Sequence, residues 1–381
     1  MQPSGFLDPR RLATHPVRSK GHWRRGLLAM LLVGLAGCAG SSADAPEELR
    51  LPPLEQHLSY GGGLEWTMSV DDGCSLYVRE YGNPAHPTWV ILHGGWGAEH
   101  SYLLDAFEGL ETEYHLVFYD QRGSLRSWGC ATESISVAAH VDDLEVLRRE
   151  LDLDRLSLIA HSMGGFLAGR YQQAHPDRVG DLVLIAPGLP KLPLDPAERA
   201  AYEPYIEGYH ADDYEPLGMF EVGSQLLRDR PEVSEELSRQ GLDADDLSER
   251  DRTLRWRVEF AATNLYRLDH WPRFRGGYPF YNNQAGQQAA MTMDELGPWD
   301  FPTLWRNHDG HVTYIIGDHD FVDWSAALSR RWFEGDEHVD LVVLERAGHY
   351  AWIDRPRAFR AALLRALRPE TRLESTPVGG G

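Results

Sequence analysis

Three residues far apart in this chain, Ser162, Asp320 and His349, are the types that together cleave an acyl bond. A serine hydroxyl is a poor nucleophile until an imidazole takes its proton and a carboxylate fixes that imidazole in the right tautomer. Ser162 stands in Leu158-Ile159-Ala160-His161-Ser162-Met163-Gly164-Gly165, where an apolar run ends abruptly in small residues. Strand, tight turn and helix with serine at the apex is the context of a nucleophile elbow. The turn is so sharp that the residues two before and two after the serine must be small, and here they are Ala160 and Gly164. A glycine-rich turn with a bystander serine has the same local pattern, so the rest of the chain must decide.

A base comes from Ala347-Gly348-His349, which follows the apolar run Val339 to Leu344. The chain holds seventeen histidines, and its place after the last strand selects this one. His161 adjoins the serine, but its position in the elbow points it elsewhere. The orienting carboxylate is expected in Gly317-Asp318-His319-Asp320, after the run ending at Ile316. Asp320 is the first choice because it lies three residues beyond the glycine that ends the strand; Asp318 is second and Asp323 third. The developing oxyanion needs two donors. One is the N–H of Met163, next to the nucleophile. The other is Gly95, in His93-Gly94-Gly95-Trp96-Gly97 after the run Thr88 to Leu92. No spacing of His, Asp and Glu suggests a metal, and the chemistry needs no cofactor.

These residues need elements to hold them. Leu64 to Val70 and Ser75 to Tyr81 alternate around the turn signal Asp71-Asp72-Gly73 and read as a hairpin. Buried-strand runs follow at Thr88 to Leu92, His115 to Tyr119, Leu156 to Ala160, Asp181 to Ala186, His311 to Ile316 and Val339 to Leu344. Val137, Val141, Leu144, Leu147 and Leu151 mark a helical face. Further helices are expected from Phe166 to about His175, near Trp324 to Trp332, and from Pro356 to Leu367. Strands alternating with helices imply a mostly parallel sheet, with the site at the strand ends.

With these motifs in order, the chain resembles the α/β-hydrolases, whose triad runs Ser, Asp, His along the sequence, and within them the proline iminopeptidases. That family has His-Gly-Gly-Pro-Gly where this chain has His93-Gly94-Gly95-Trp96-Gly97. It has Asp-Gln-Arg-Gly-x-Gly-x-Ser where this chain has Asp120-Gln121-Arg122-Gly123-Ser124-Leu125-Arg126-Ser127. The elbow departs from the family's Gly-Gly-Ser-Trp-Gly, and Trp96 replaces proline. The resemblance implies an α/β-hydrolase fold with an eight-stranded, mostly parallel sheet, helices on both faces and an inserted helical cap. The core is expected at 61–189 and 301–370, and the cap at 190–300. It also implies that the second strand neighbours the fourth, which brings Cys74 near the loop carrying Cys130. The two cysteines then either pair or stay reduced and buried.

The cap region carries 22 Asp/Glu against 12 Lys/Arg and many aromatics, among them Trp256, Phe260, Tyr266, Trp271, Phe274, Tyr278, Phe280 and Tyr281. In the iminopeptidases cap carboxylates hold the substrate's free amine, and Trp256-x-x-Glu259 faintly resembles a stretch of that cap. The activity implied first is therefore an aminopeptidase of proline iminopeptidase type, acting on a small molecule or short peptide with a free amine. A carboxylic ester hydrolase is the alternative. A lipid-anchored binding protein on a dead scaffold is a third, and the intact Ser, Asp and His speak against it.

The chain has 381 residues, and residues 1–37 are set apart by Arg10, Arg11, Arg18, Lys20, Arg24 and Arg25 ahead of a short apolar run. That run, Leu27 to Leu35, is too short to span a bilayer. It ends Leu35-Ala36-Gly37-Cys38, which resembles a bacterial lipoprotein signal; an ordinary secretory peptide with a chance cysteine is the alternative. Arg24-Arg25 also resembles a twin-arginine signal. The expectation is a lipid anchor at Cys38 in the bacterial cell envelope, on the outer membrane if the source is Gram-negative. A polar tether over 38–60 and a frayed tail over 371–381 complete the chain. Beyond residue 37 there are 31 Lys/Arg against 57 Asp/Glu, or −26, which argues against nucleic acid as a partner because phosphates would be repelled.

If Cys38 is lipidated, the mature protein begins there, and its N-terminal peptide carries the mass of a lipid-modified cysteine. Mass spectrometry that finds another N-terminus and an unmodified Cys38 contradicts the anchor.

Overall fold

The computed structural model describes residues 63–70, 73–200, 227–275 and 281–368. The leader, Cys38, the tether, the tail, the turn residues Asp71 and Asp72, and Tyr278 and Phe280 lie outside the described residues.

Eight strands form one sheet in the order β1-β2-β4-β3-β5-β6-β9-β10. They are β1 (Leu64–Ser69), β2 (Ser75–Tyr81), β3 (Thr88–Leu92), β4 (His115–Tyr119), β5 (Leu156–His161), β6 (Val179–Ile185), β9 (Val312–Gly317) and β10 (Val339–Leu344). Among the described residues between β6 and β9, strand pairing is limited to a two-residue ladder, β7 (Lys191–Leu192) with β8 (Trp299–Asp300). The β1–β2 and β2–β4 pairs are antiparallel; every other pair in the large sheet is parallel. This is the α/β-hydrolase architecture.

Residue alternation builds the two faces. Val90, Leu92, Leu158, Ala160, Leu182 and Leu184 join one buried cluster. Their neighbours Ile91, Ile159, Val183 and Ile185 join the other. A strand presents successive side chains to opposite faces, so a run apolar at every position must be covered on both. One face is covered by α1 (Val137–Glu150) and α2 (Met163–Ala174) through Val141, Leu144, Leu147, Phe166 and Leu167. Ser136 caps α1 by accepting from Ala139 N–H.

The chain between β6 and β9 includes α3 (Pro231–Gln240), α4 (Glu249–Asn264) and α5 (Asn283–Asp294). Helices α6 (Ala327–Phe333) and α7 (Pro356–Leu367) follow β9 and β10. Leu237, Val258, Ala261 and Ala262 from this inserted stretch share the second cluster with Phe359 and Leu363 of α7.

Three expectations shift. Helix α2 starts at Met163, not Phe166: the two glycines there act as the tight first turn of the helix rather than as loop. Strand β6 spans Val179–Ile185 rather than starting at Asp181. The helix near Trp324 breaks into a single 3-10 turn, Trp324–Ala326, and α6, with Ser325 and Ala326 at φ 58° and 53°.

Cys74 and Cys130 are joined by a disulfide, their Cα atoms 4.3 Å apart. Beside it Ser75 and Trp128 exchange backbone hydrogen bonds of 2.8 and 2.9 Å. The bond therefore ties the start of β2 to the loop after β4. The two cysteines are 56 positions apart, and closing a loop of that length in the unfolded chain is worth roughly 2–4 kcal/mol. Cys74→Ser with Cys130→Ser should lower urea stability by that amount without changing the far-UV spectrum. Two free thiols in the unreduced, denatured mature protein would contradict the bond.

Candidate active site

Ser162 sits between β5 and α2 with φ 54° and ψ −124°, a conformation that L residues rarely adopt. Its N–H donates to Ile185 O, and its carbonyl accepts from Gly165 and Gly188 N–H at 2.8 and 2.6 Å. Those bonds hold the turn so that the side chain stands partly open at the C-terminal edge of the sheet, at the mouth of helix α2.

His349 and Asp320 form a locked pair. His349 Nδ1 lies 3.0 and 2.9 Å from the two carboxylate oxygens of Asp320. His349 is 3% exposed and Asp320 0%, so little water competes for the bond. Asp320 also accepts from Val322 N–H at 2.9 Å. The other two acids are engaged elsewhere. Asp318 binds the ring of its neighbour His319 at 2.6 Å. Asp323 accepts from Leu328 and Ser329, and burial pushes its carboxyl up to about 6. Of the three acids, the structure brings Asp320 to the base.

Ser162 and His349 share no hydrogen bond among the described residues, as is common before substrate tightens such a site. The ring of His161, the residue before the serine, lies 4.7 Å from that of His349, centroid to centroid.

The loop after β3 closes over the serine. A side-chain carbon on Gly94 would stand 2.6 Å from Ser162 Cβ, so only glycine fits there. Gly94 N–H donates to Tyr102 Oη at 2.6 Å. The N–H groups of Gly95 and Met163 find no acceptor among the described residues. Met163 N–H is an orphan donor of the first turn of α2, where the helix dipole favours negative charge.

Two residues gain roles that sequence reasoning did not give them. Tyr102 accepts from Gly94 N–H, and its hydroxyl lies 2.7 Å from His161 Nδ1. His161 Nε2 is 3.3 Å from His349 O. Burial holds His161 well below the usual histidine range. A neutral ring with its proton on Nε2 satisfies the whole chain: Gly94 N–H to Tyr102, Tyr102 O–H to Nδ1, Nε2–H to His349 O. The oxyanion loop and the base loop are thus joined through the residue before the nucleophile.

The tetrad Asp120-Gln121-Arg122-Gly123 is scaffold. Asp120 Oδ1 is 2.6 Å from His100 Nδ1. Gln121 donates its amide to His93 O and its backbone N–H to His93 Nε2. Burial lowers the His93 ring to about 4, so it stays neutral and can accept that bond. Arg122 binds Asp143 through both ends of its fork at 2.6 and 2.8 Å. These bonds brace the loop bearing Gly94 and Gly95. Trp96, in place of proline, stacks on His140 with centroids 4.9 Å apart.

Aromatic rings lead from the base toward α4. Phe321 lies 4.8 Å from His349, and Tyr350 packs against Tyr102, Phe260 and Phe274. Trp256 continues the cluster against Phe260 and Tyr281. Glu99, His100 and Asp120 are the one His/Cys/Asp/Glu group with metal-like proximity among the described residues. Asp120 is bonded to His100 Nδ1 and Glu99 accepts from Ser101, while His100 Nε2 has no hydrogen-bond partner among the described residues.

The model of the alpha/beta hydrolase family matches residues 89–362. The chain is similar to a (lyso)-N-acylphosphatidylethanolamine lipase of Bos taurus, 26% identical over 290 residues, covering 72% of this chain and 77% of that protein. It is 36% identical over 118 residues to a proline iminopeptidase of Xylella fastidiosa, covering 31% of this chain and 37% of that one. Among solved structures, an esterase from Exiguobacterium antarcticum superposes with a TM-score of 0.54 at 18% identity, over 80% of this chain and all of the other.

Asp320→Asn should cut hydrolysis on the order of ten-thousand-fold, the loss seen when a triad carboxylate is neutralised. Asp318→Asn should change it little. A greater loss from Asp318→Asn, in purified folded variants assayed side by side, would reassign the acid.

Proposed function

The chain belongs to the alpha/beta hydrolase family, and from that premise we propose that it is a serine hydrolase of carboxylic esters. The observation that carries the reading is the buried Asp320–His349 pair, tied through the His349 carbonyl to the residue before an elbow serine, with two backbone donors at Gly95 and Met163 that meet no acceptor among the described residues. In the proposed reaction His349 Nε2 takes the Ser162 proton as Oγ bonds to the ester carbonyl carbon. The oxyanion is held by the N–H groups of Gly95 and Met163. Collapse breaks the carbon–alkoxide bond, and the leaving alcohol carries off the proton from Nε2. Water then gives its proton to Nε2 and its oxygen to the acyl carbon, and release of the acid returns the proton to Ser162.

The described surroundings of the site suit a neutral substrate. The rings around Tyr350 are apolar, and several of the described acids of the inserted stretch are met by arginines. Glu236 pairs with Arg239, Glu249 with Arg252, Glu259 with Arg255 and Asp269 with Arg267. A protonated amine buried there would need a carboxylate partner. The second reading, an aminopeptidase of proline iminopeptidase type, keeps one specific support. Residues 201–226, outside the described residues, contain six Asp/Glu and no Lys/Arg.

A lipid anchor at Cys38 would place this hydrolase on a bacterial membrane surface. No helix among the described residues is long and apolar enough to cross a membrane.

Ser162→Ala should lose on the order of a million-fold in kcat while keeping its fold. The substrate class is tested on one aminoacyl ester with its amine free and acetylated. The ester reading expects similar kcat/KM for both. A preference for the free amine of about a hundred-fold, the mark of a buried charge pair worth roughly 3 kcal/mol, would install the aminopeptidase reading instead.

A further inference from the structure

Asp354 lies five residues beyond the base and takes no part in the chemistry above, yet its side chain is fully buried. Its carboxylate collects donors from two separate stretches of chain. Oδ2 accepts from Gly348 N–H at 2.9 Å, on the base loop, and from Tyr266 N–H at 2.7 Å, just beyond α4. Oδ1 accepts from Arg267 N–H at 3.3 Å and faces His270 Nδ1 at the same distance. A second link runs parallel: Tyr350 N–H donates to Asn264 O, the last residue of α4, at 3.1 Å. Of the residues on either side of His349, Tyr350 is therefore bonded to the segment 264–270 directly and Gly348 through the carboxylate of Asp354. The contact is too close for even one added carbon, since a Cβ on Gly348 would meet Asn264 O at 2.5 Å and Tyr266 N at 2.9 Å, both backbone atoms.

A buried carboxylate with four donors is held by all of them, and moving one segment strands part of its charge. The base loop therefore cannot shift against the end of α4 without breaking several charge-assisted bonds. The aromatic cluster at Phe260, on the same helix, is the surface that faces Tyr350.

We propose that Asp354 is a positioning residue that fastens the His349 loop to the end of helix α4, so that the placement of the general base depends on the inserted segment rather than on the sheet alone. This rests on the serine hydrolase reading above. His349 is reached from the sheet by Asp320 and, through its carbonyl, by His161. Among the described residues, it is reached from the inserted segment through its two neighbours, Gly348 and Tyr350. Loss of the Asp354 joint should leave the ring near Asp320 but tilted, and a misplacement of about 1 Å at a catalytic group costs up to about a hundred-fold in rate.

The experiment compares full-length wild type, Asp354→Asn and Gly348→Ala on 4-nitrophenyl acetate, a substrate too small to need the inserted segment for binding. Asparagine turns an acceptor into a donor facing backbone N–H groups. Alanine at 348 wedges the same seam without touching Asp354. Both should lower kcat about ten- to a hundred-fold with KM changed by no more than about three-fold. Both should also move the acid limb of kcat/KM to lower pH, because a tilted imidazolium loses part of the support of Asp320. The titratable groups packed against His349 are Asp320, His161 and Tyr350, and none of them is altered. Wild-type kcat and an unmoved acid limb in either folded variant overturn the proposal, whatever the change in Tm. A rise in KM at constant kcat overturns it too, by assigning the seam to substrate binding. If Ser162→Ala is as active as wild type in the same assay, the hydrolase reading fails instead, and that outcome is separate from the joint.

Discussion

One backbone conformation, that of Ser162, constrains everything around it. At φ 54° and ψ −124° it costs on the order of 1–3 kcal/mol and persists only where the surroundings over-determine it. Here they do. The N–H is taken by β6 through Ile185, the carbonyl by two glycine N–H groups, and the flanking positions are small enough for the chain to turn. The strands on both sides are parallel and buried, so β5 cannot slide to relieve the turn. A serine in that conformation is pushed off the sheet edge, with the first N–H of α2 beside it.

The remaining site residues reach that serine by polar bonds between loops that leave different strands. The acid follows β9, the base follows β10, the oxyanion loop follows β3, and the bracing tetrad follows β4. Each loop is tied to the next: Gln121 to His93, Gly94 to Tyr102, Tyr102 to His161, His161 to His349, His349 to Asp320. Buried polar groups are costly unless paired, and a network in which each is paired specifies one arrangement. The sheet thus supplies the spacing, and the network removes the freedom that loops otherwise have.

Much of this was legible in the sequence. Buried parallel strands are apolar at every position, and seven of the eight were placed within a residue or so, because turn residues bound them sharply. The Ser-Asp-His order and the small residues of the elbow located the site, and the offset from Gly317 favoured Asp320 over Asp318. The helix start at Met163 was misread because Gly164 and Gly165 are poor helix formers in isolation, whereas a nucleophile elbow requires them in the first turn. The tetrad from Asp120 was visible as a motif, but its role was not: its partners His93, His100 and Asp143 are up to 28 positions away and carry no local signature. Tyr102 and Asp354 were hidden for the same reason. A buried side chain that works by accepting backbone N–H bonds leaves no periodicity, and only the fold reveals which donors converge on it.

The central claim is that Ser162 is the atom that attacks. It is tested most directly by treating the protein with a fluorophosphonate and locating the adduct by peptide mass spectrometry. The account predicts a single adduct on the peptide containing Ser162, with hydrolysis lost in proportion to labelling. An adduct elsewhere, or full activity in protein labelled at Ser162, would contradict it.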